Sequence, residues 1–152
     1  MIEALLDRLR SKNLTVASAE SCTGGLISSA FVDIPGASDV FVGGLVTYKE
    51  ESKVSLLNVS AETIKKYTAV SSQTAEEMCR NAAKVCNSNI GLSSTGYAGP
   101  EGGTAENPVG TVYIGVYIYG QAHTKRLEIK GDRNYIRKTA VKEVISLLDR
   151  LL

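Results

Sequence analysis

Histidine is the scarcest functional residue of this 152-residue chain: there is one, His123. It lies among Lys125, Arg126 and Glu128 in a stretch that reads as a half-exposed strand, so it reads as a surface side chain. Ser-His-Asp and Cys-His schemes therefore lack a base. An excess of charge is missing as well, since 17 Lys and Arg against 16 Asp and Glu leave a net +1. That balance gives no electrostatic footing for nucleic acid or a membrane surface, and any anion binding has to be local. Three cysteines cannot all pair, and Cys79 and Cys86 fall roughly 10 Å apart along a predicted helix, too far for a disulfide. They read as small core residues of a reducing, cytoplasmic compartment. No H-E-x-x-H string, C-x-x-C pair or carboxylate cluster suggests a metal, and neither a P-loop nor G-x-G-x-x-G suggests a nucleotide cofactor, so none is expected. No apolar run reaches the length of a membrane span, and residues 1–12 lack the h-region of a signal peptide. Repeats, linkers and low-complexity runs are also absent, and the length fits one domain over 1–152.

What is present alternates between two periods. Residues 1–12 place Ile2, Leu5, Leu6 and Leu9 on one helical face, Leu14-Thr15-Val16-Ala17 reads as a short buried strand, and Leu26, Ile27, Ala30, Phe31 and Ile34 mark a second helix. Residues 40–48 predict another buried strand, loosened by Gly43 and Gly44. Lys49 to Leu57 predicts a helix with Val54 and Leu57 facing inward. A short helix around 62–67 follows, then a long one capped at Ser71-Ser72, with Thr74 and Glu77 as an alternative capping box. A strand over 89–94 leads into a glycine-rich connection to Gly110. Thr111 to Tyr119 predicts a strand in the sheet centre, Gly120-Gln121 a tight turn, Ala122 to Lys130 its antiparallel partner, and Asp132 the cap of a last helix. The expected fold is α/β: a three-layer α/β/α sandwich with a mixed, mainly parallel sheet and a C-terminal antiparallel hairpin. The apolar terminal helices can cover this sheet or a neighbour's, and a homo-oligomer is expected.

The chemistry concentrates where the first strand meets the second helix, at Ser18-Ala19-Glu20-Ser21-Cys22-Thr23-Gly24-Gly25. Unpaired amides and the positive end of a helix dipole stabilise negative charge there, so Ser21 reads as a nucleophile, as part of an anion cradle, or as a plain helix cap. A serine nucleophile without histidine needs another base, and the established substitute is a lysine whose pKa is lowered by burial. Lys53 is the best placed. It follows the strand that ends at Tyr48, and adjacent parallel strands open their carboxyl ends into one crevice. Tyr48 then stands ready to relay the proton between the two. Read alone, Lys53 is a solvated helix lysine, Tyr48 a core aromatic and Cys22 a packed thiol.

Several strings occur in order: residues 19–25 just quoted; Gly44-Leu45-Val46-Thr47-Tyr48 with Lys53 beyond; Ala69-Val70-Ser71; Ser94-Thr95-Gly96-Tyr97-Ala98-Gly99-Pro100-Glu101-Gly102-Gly103; Pro108-Val109-Gly110-Thr111-Val112; and Gly131-Asp132-Arg133 with Arg137. Together they resemble the CinA C-terminal domain family over almost the whole chain. That resemblance implies hydrolysis of the carboxamide of nicotinamide mononucleotide to nicotinate mononucleotide and ammonia, with a catalytic Ser, Tyr and Lys carried over onto Ser21, Tyr48 and Lys53. It also implies the short form, without the molybdopterin-binding-like domain of full-length relatives. Tyr97 departs from the smaller aliphatic residue expected there.

On this reading the amides of Cys22, Thr23 and Gly24, or of the Gly96 loop, hold the oxyanion. The loop carrying Thr95, Gly96, Gly99, Gly102 and Gly103, with Arg133 or Arg137, grips the 5'-phosphate. Glu20 holds Lys53 or a ribose hydroxyl. The competing reading is a non-catalytic nucleotide-sensing or partner-binding module built on the same cradle. A third is an amidase for another amide.

Overall fold

A computed structural model describes residues 2–152, and Met1, with which the first predicted helix opens, lies outside them. The chain runs α1 (Ile2–Ser11), β1 (Val16–Glu20), α2 (Leu26–Val32), a 3-10 turn, β2 (Phe41–Val46), α3 (Glu50–Leu57), α4 (Ala61–Tyr67), α5 (Ser72–Cys86), β3 (Ile90–Gly96), β4 (Thr111–Ile118), β5 (Gln121–Glu128) and α6 (Arg133–Leu151). The sheet order is β2-β1-β3-β4-β5. β1 pairs in parallel with both β2 and β3, while β4 is antiparallel to β3 and β5 antiparallel to β4. This is the expected three-layer sandwich, with α1, α2 and α6 on one face and α3, α4 and α5 on the other.

Two cores hold the layers. On the first face Leu5, Leu6 and Leu9 of α1, Ile27 and Phe31 of α2, and Ile136, Val144 and Leu148 of α6 pack on Val16, Leu92, Ile114 and Val116. On the second, Leu57, Ile64, Met78 and Ala82 close over Ala19. Helix α5 packs tightly on the sheet at Gly91, where a Cβ would overlap the Cys79 carbonyl and crowd the Ala83 amide. Only glycine permits that approach.

Several boundaries move. β1 starts later than expected and runs on to Glu20, which puts Ser21 directly at its carboxyl end. Residues 41–46 form an edge strand of alternately half-buried and exposed positions, not a buried one, because no strand flanks β2 on its far side. The hairpin turns at Tyr119-Gly120, both with positive φ, one residue earlier than predicted. Ser71 caps α5 by accepting from the Thr74 amide, and Glu77 instead accepts from the Ser60 amide. The three cysteines are free, Cys22 and Cys79 buried and Cys86 half-buried.

The route through the sheet positions the site. From β1 the chain steps to β2 on one side, then crosses back to β3 on the other, so the carboxyl end of β1 lies at the point where the connections diverge. Open α/β sheets bind ligands at that point.

The close approach at Gly91 makes a prediction. Gly91→Ala lowers the unfolding free energy by about 2–3 kcal/mol, the cost of overpacking against backbone, whereas Gly43→Ala, with nothing within 4 Å of the added carbon, stays within about 0.5 kcal/mol of the parent. Urea denaturation measures both, and equal midpoints contradict the packing described.

Candidate active site

Strand β1 delivers Ser21 and then turns sharply through Gly24 and Gly25, both at positive φ (57° and 106°). The turn is gripped by Glu20, whose fully buried carboxylate accepts five hydrogen bonds, from the Thr23 and Ser28 hydroxyls and the Gly25, Ile27 and Ser28 amides. It therefore caps α2 from inside, as no side chain does at the N-cap Gly25. Two expectations fall with this observation. Glu20 holds neither Lys53 nor a ligand, and the first-turn amides of α2 are already taken, Ile27 and Ser28 by this internal anion and Leu26 by the Thr23 carbonyl. One step earlier, the amides of Cys22 and Thr23 engage no oxygen acceptor among the described residues, and of the two residues only Cys22 lines the cavity.

Helix α3 brings the amine. Lys53, only 1% exposed, aims its Nζ at the Ser21 Oγ, 2.9 Å away, and donates to the Thr47 carbonyl at 2.7 Å. Val54, expected inside, is 37% exposed, so the helix is turned with its lysine and Leu57 inward. Burial lowers the Lys53 pKa from the ordinary 10.5 to about 8, against the opposing fields of Cys22 and Glu50. At pH 7 such an amine is neutral in roughly a tenth of molecules, against roughly one in three thousand for a solvated lysine. Cys22 goes the other way: burial raises its thiol to about 11, which leaves it protonated and poorly nucleophilic at neutral pH.

Tyr48 is not between them. Its ring is 58% exposed, its hydroxyl accepts from Arg133 Nη2 at 3.0 Å, and only its main-chain carbonyl reaches the Ser21 hydroxyl, at 3.4 Å. The lysine stem spans the gap directly, so no relay is required.

Ser21, Cys22, Tyr48, Lys53, Thr95, Gly96 and Arg133 line one cavity of about 270 Å³. Sequence reasoning did not assign Glu50, Ala69, Val70, Tyr97 or Ala98, which complete its wall; the glycine-rich string was the available signal for the last two. The other predicted binding residues do not reach it. Thr23 is fully buried, donating to Glu20 and sharing a 2.6 Å hydrogen bond with Ser94. The Gly24 amide donates to the Ser21 carbonyl. Arg137 donates from Nε and Nη2 to the carbonyls of Cys22 and Thr23, both at 3.0 Å, and does not line the cavity. Gly99 presents its carbonyl to Arg133 Nη1 at 2.6 Å, and Gly102 and Gly103 shape the loop further out, against Tyr97 and Val109.

The family model of the CinA C-terminal domain matches residues 1–152. The chain belongs to the CinA C-terminal domain family. A CinA-like protein of Dictyoglomus thermophilum is 51% identical over 148 residues, covering 97% of this chain and 36% of that protein. The chain thus spans little more than a third of the length of the curated relatives it matches. Among solved structures, a competence-damaged protein (CinA) superfamily protein from Escherichia coli superposes with a TM-score of 0.95 at 35% identity, covering 98% of this chain and 87% of that one. The competence/damage inducible protein CihA from Agrobacterium tumefaciens gives 0.91 at 37%, covering 99% and 94%. In this CinA domain no group of three or more metal-ligating side chains gathers among the described residues, and no helix there is long and apolar enough to cross a membrane.

The internal cap can be tested apart from any activity. Glu20→Ala strands three amides and two hydroxyls and is expected to cost about 3–5 kcal/mol of stability, while Arg133→Ala at the exposed rim costs under about 0.5 kcal/mol. Chemical denaturation separates them; a loss below 1 kcal/mol for Glu20→Ala contradicts its capping role.

Proposed function

We propose that this CinA domain is an amidohydrolase in which Ser21 attacks a carboxamide with Lys53 as general base, and that the amide is the carboxamide of nicotinamide mononucleotide. The observation that carries the reading is the 2.9 Å contact between a buried lysine nitrogen and the serine oxygen.

Once neutral, Lys53 keeps one N–H on the Thr47 carbonyl and turns its lone pair to Ser21, which donates its hydroxyl proton to that nitrogen. As the proton leaves, Oγ bonds to the carboxamide carbon and the carbonyl electron pair moves onto oxygen. The oxyanion is met by the amide of Cys22, preorganised in a site that is closed to bulk water on the lysine side. Collapse restores the carbonyl and breaks the C–N bond, and the departing nitrogen takes the proton back from Lys53 to leave as ammonia. Water, deprotonated in turn by Lys53, attacks the Ser21 ester and releases the carboxylate and the free serine. No step requires a metal or an imidazole.

The nucleotide follows from the family resemblance and from what rims the cavity. Tyr48 and Tyr97 offer aromatic faces for a pyridine ring, and exposed Arg133 offers a guanidinium for the phosphate. The cavity is of a size for a small molecule, not a polymer.

Ammonia release from nicotinamide mononucleotide tests the reading. Ser21→Ala is expected to abolish turnover, and Lys53→Ala to reduce kcat by about a thousandfold or more. Because only the neutral amine accepts the proton, the wild-type rate climbs about tenfold per pH unit below 8 and levels off above it. A folded wild-type protein that releases no ammonia, or a Ser21→Ala variant that still does, contradicts the proposal.

A further inference from the structure

The carbonyl groups of the Ser21 turn are held as deliberately as its amides. Arg137 stands one turn into α6, half-buried and next in the chain to the buried Ile136. Its Nε donates to the Cys22 carbonyl and its Nη2 to the Thr23 carbonyl. It takes no carboxylate partner among the described residues, so its charge is directed at the main chain alone.

Followed through the peptide groups, that charge leads to the nucleophile. The Thr23 carbonyl that receives Nη2 belongs to the peptide whose N–H is that of Gly24. The Gly24 N–H donates to the Ser21 carbonyl at 3.0 Å. The Ser21 carbonyl belongs to the peptide whose N–H is that of Cys22, an amide with no oxygen acceptor among the described residues, on a residue that lines the cavity. A second, shorter path runs from Nε through the Cys22 carbonyl to the N–H of Thr23, likewise without an oxygen acceptor among them. Hydrogen bonds in series polarise one another, and a cation at the head of the series strengthens the last donor. The first series ends on the amide of Cys22, which lines the cavity beside Ser21, and the second on the buried amide next to it.

We infer that Arg137 is a positioning residue that polarises the Cys22 amide for transition-state charge, and is not a ligand for the substrate's phosphate. The inference rests on the Ser21 acyl-transfer reading. The turn has other supports that fix its shape without the guanidinium: the Ser21 amide on the Ser94 carbonyl, Thr23 on Ser94, and Gly25 on Glu20. What Arg137 adds is field. It acts on charge that exists only in the transition state, so its loss falls on kcat and leaves KM in place.

The test compares wild type with Arg137→Met, which keeps the apolar stem, and Arg137→Lys, which keeps the charge but not the two-pronged reach. Turnover of nicotinamide mononucleotide is expected to lose ten- to a hundredfold in kcat in Arg137→Met, with KM within twofold and the rise of rate with pH unmoved. Arg137→Lys recovers part of the loss. A second probe is the analogue with an aldehyde in place of the carboxamide. Ser21 adds to its carbon, Lys53 takes the serine proton, and the former carbonyl oxygen is left as an alkoxide in the oxyanion position. Its affinity is expected to fall by the same factor as kcat, while affinity for the product acid stays within twofold. A kcat loss under fivefold, or a loss carried by KM, overturns the inference and leaves the Ser21 reading standing. No ammonia from wild type overturns both. Should Arg137→Met fail to fold, Arg137→Lys is judged by the same split, and wild-type kcat in it overturns the inference.

Discussion

A primary amine removed from water and pressed against a serine hydroxyl is the interaction on which the account of this protein turns. In water an ammonium group is held charged by its hydration. Deprived of that shell it gives up its proton more easily, and its lone pair becomes available near neutral pH. Lys53 is almost completely enclosed, and no carboxylate forms an ion pair with it among the described residues. The Thr47 carbonyl fixes its direction without neutralising it, which leaves Ser21 as the group within reach. A salt bridge at this position would stabilise the charged form and remove the base.

The fold supplies this arrangement through its connectivity. β2, β1 and β3 end side by side in parallel, so the residues that follow each meet over one crevice. Ser21 comes from the first, Lys53 from the helix after the second, and Thr95 and Gly96 from the end of the third. The tight turn after Ser21 is then held from two sides by opposite charges, Glu20 on the amides of α2 and Arg137 on the carbonyls of Cys22 and Thr23. Each charge is matched to the end of the peptide dipole it faces, and the main chain between them is fixed where preorganisation matters.

The three-layer architecture, the terminal hairpin and the place of Ser21 between a strand and a helix were legible in the sequence, because each rests on a periodic pattern or a local string. Ser21 stands out between an apolar strand and an amphipathic helix, and the scarcity of histidine directs attention to lysine. What escaped were properties that depend on neighbours distant in the chain. Val54 and Lys53 differ by one position on a weakly amphipathic helix, and only the packing of α3 decides which is inside. Glu20 looks like a ligand-binding carboxylate until the amides of α2 are folded over it. Arg137, more than a hundred residues away, looks like a phosphate anchor until the Ser21 turn presents its carbonyls. Tyr48 was placed in the right neighbourhood by its string, but its side chain answers to Arg133 and not to the dyad.

The central claim concerns one proton on one nitrogen, and it can be observed there. In protein labelled with nitrogen-15 at the lysine side chains, with Lys53→Arg used to assign the signal, nuclear magnetic resonance follows the Nζ shift as pH is raised from 6 to 11. The account predicts a Lys53 midpoint near 8, well apart from the solvated lysines. A midpoint near 10.5, indistinguishable from theirs, would contradict it.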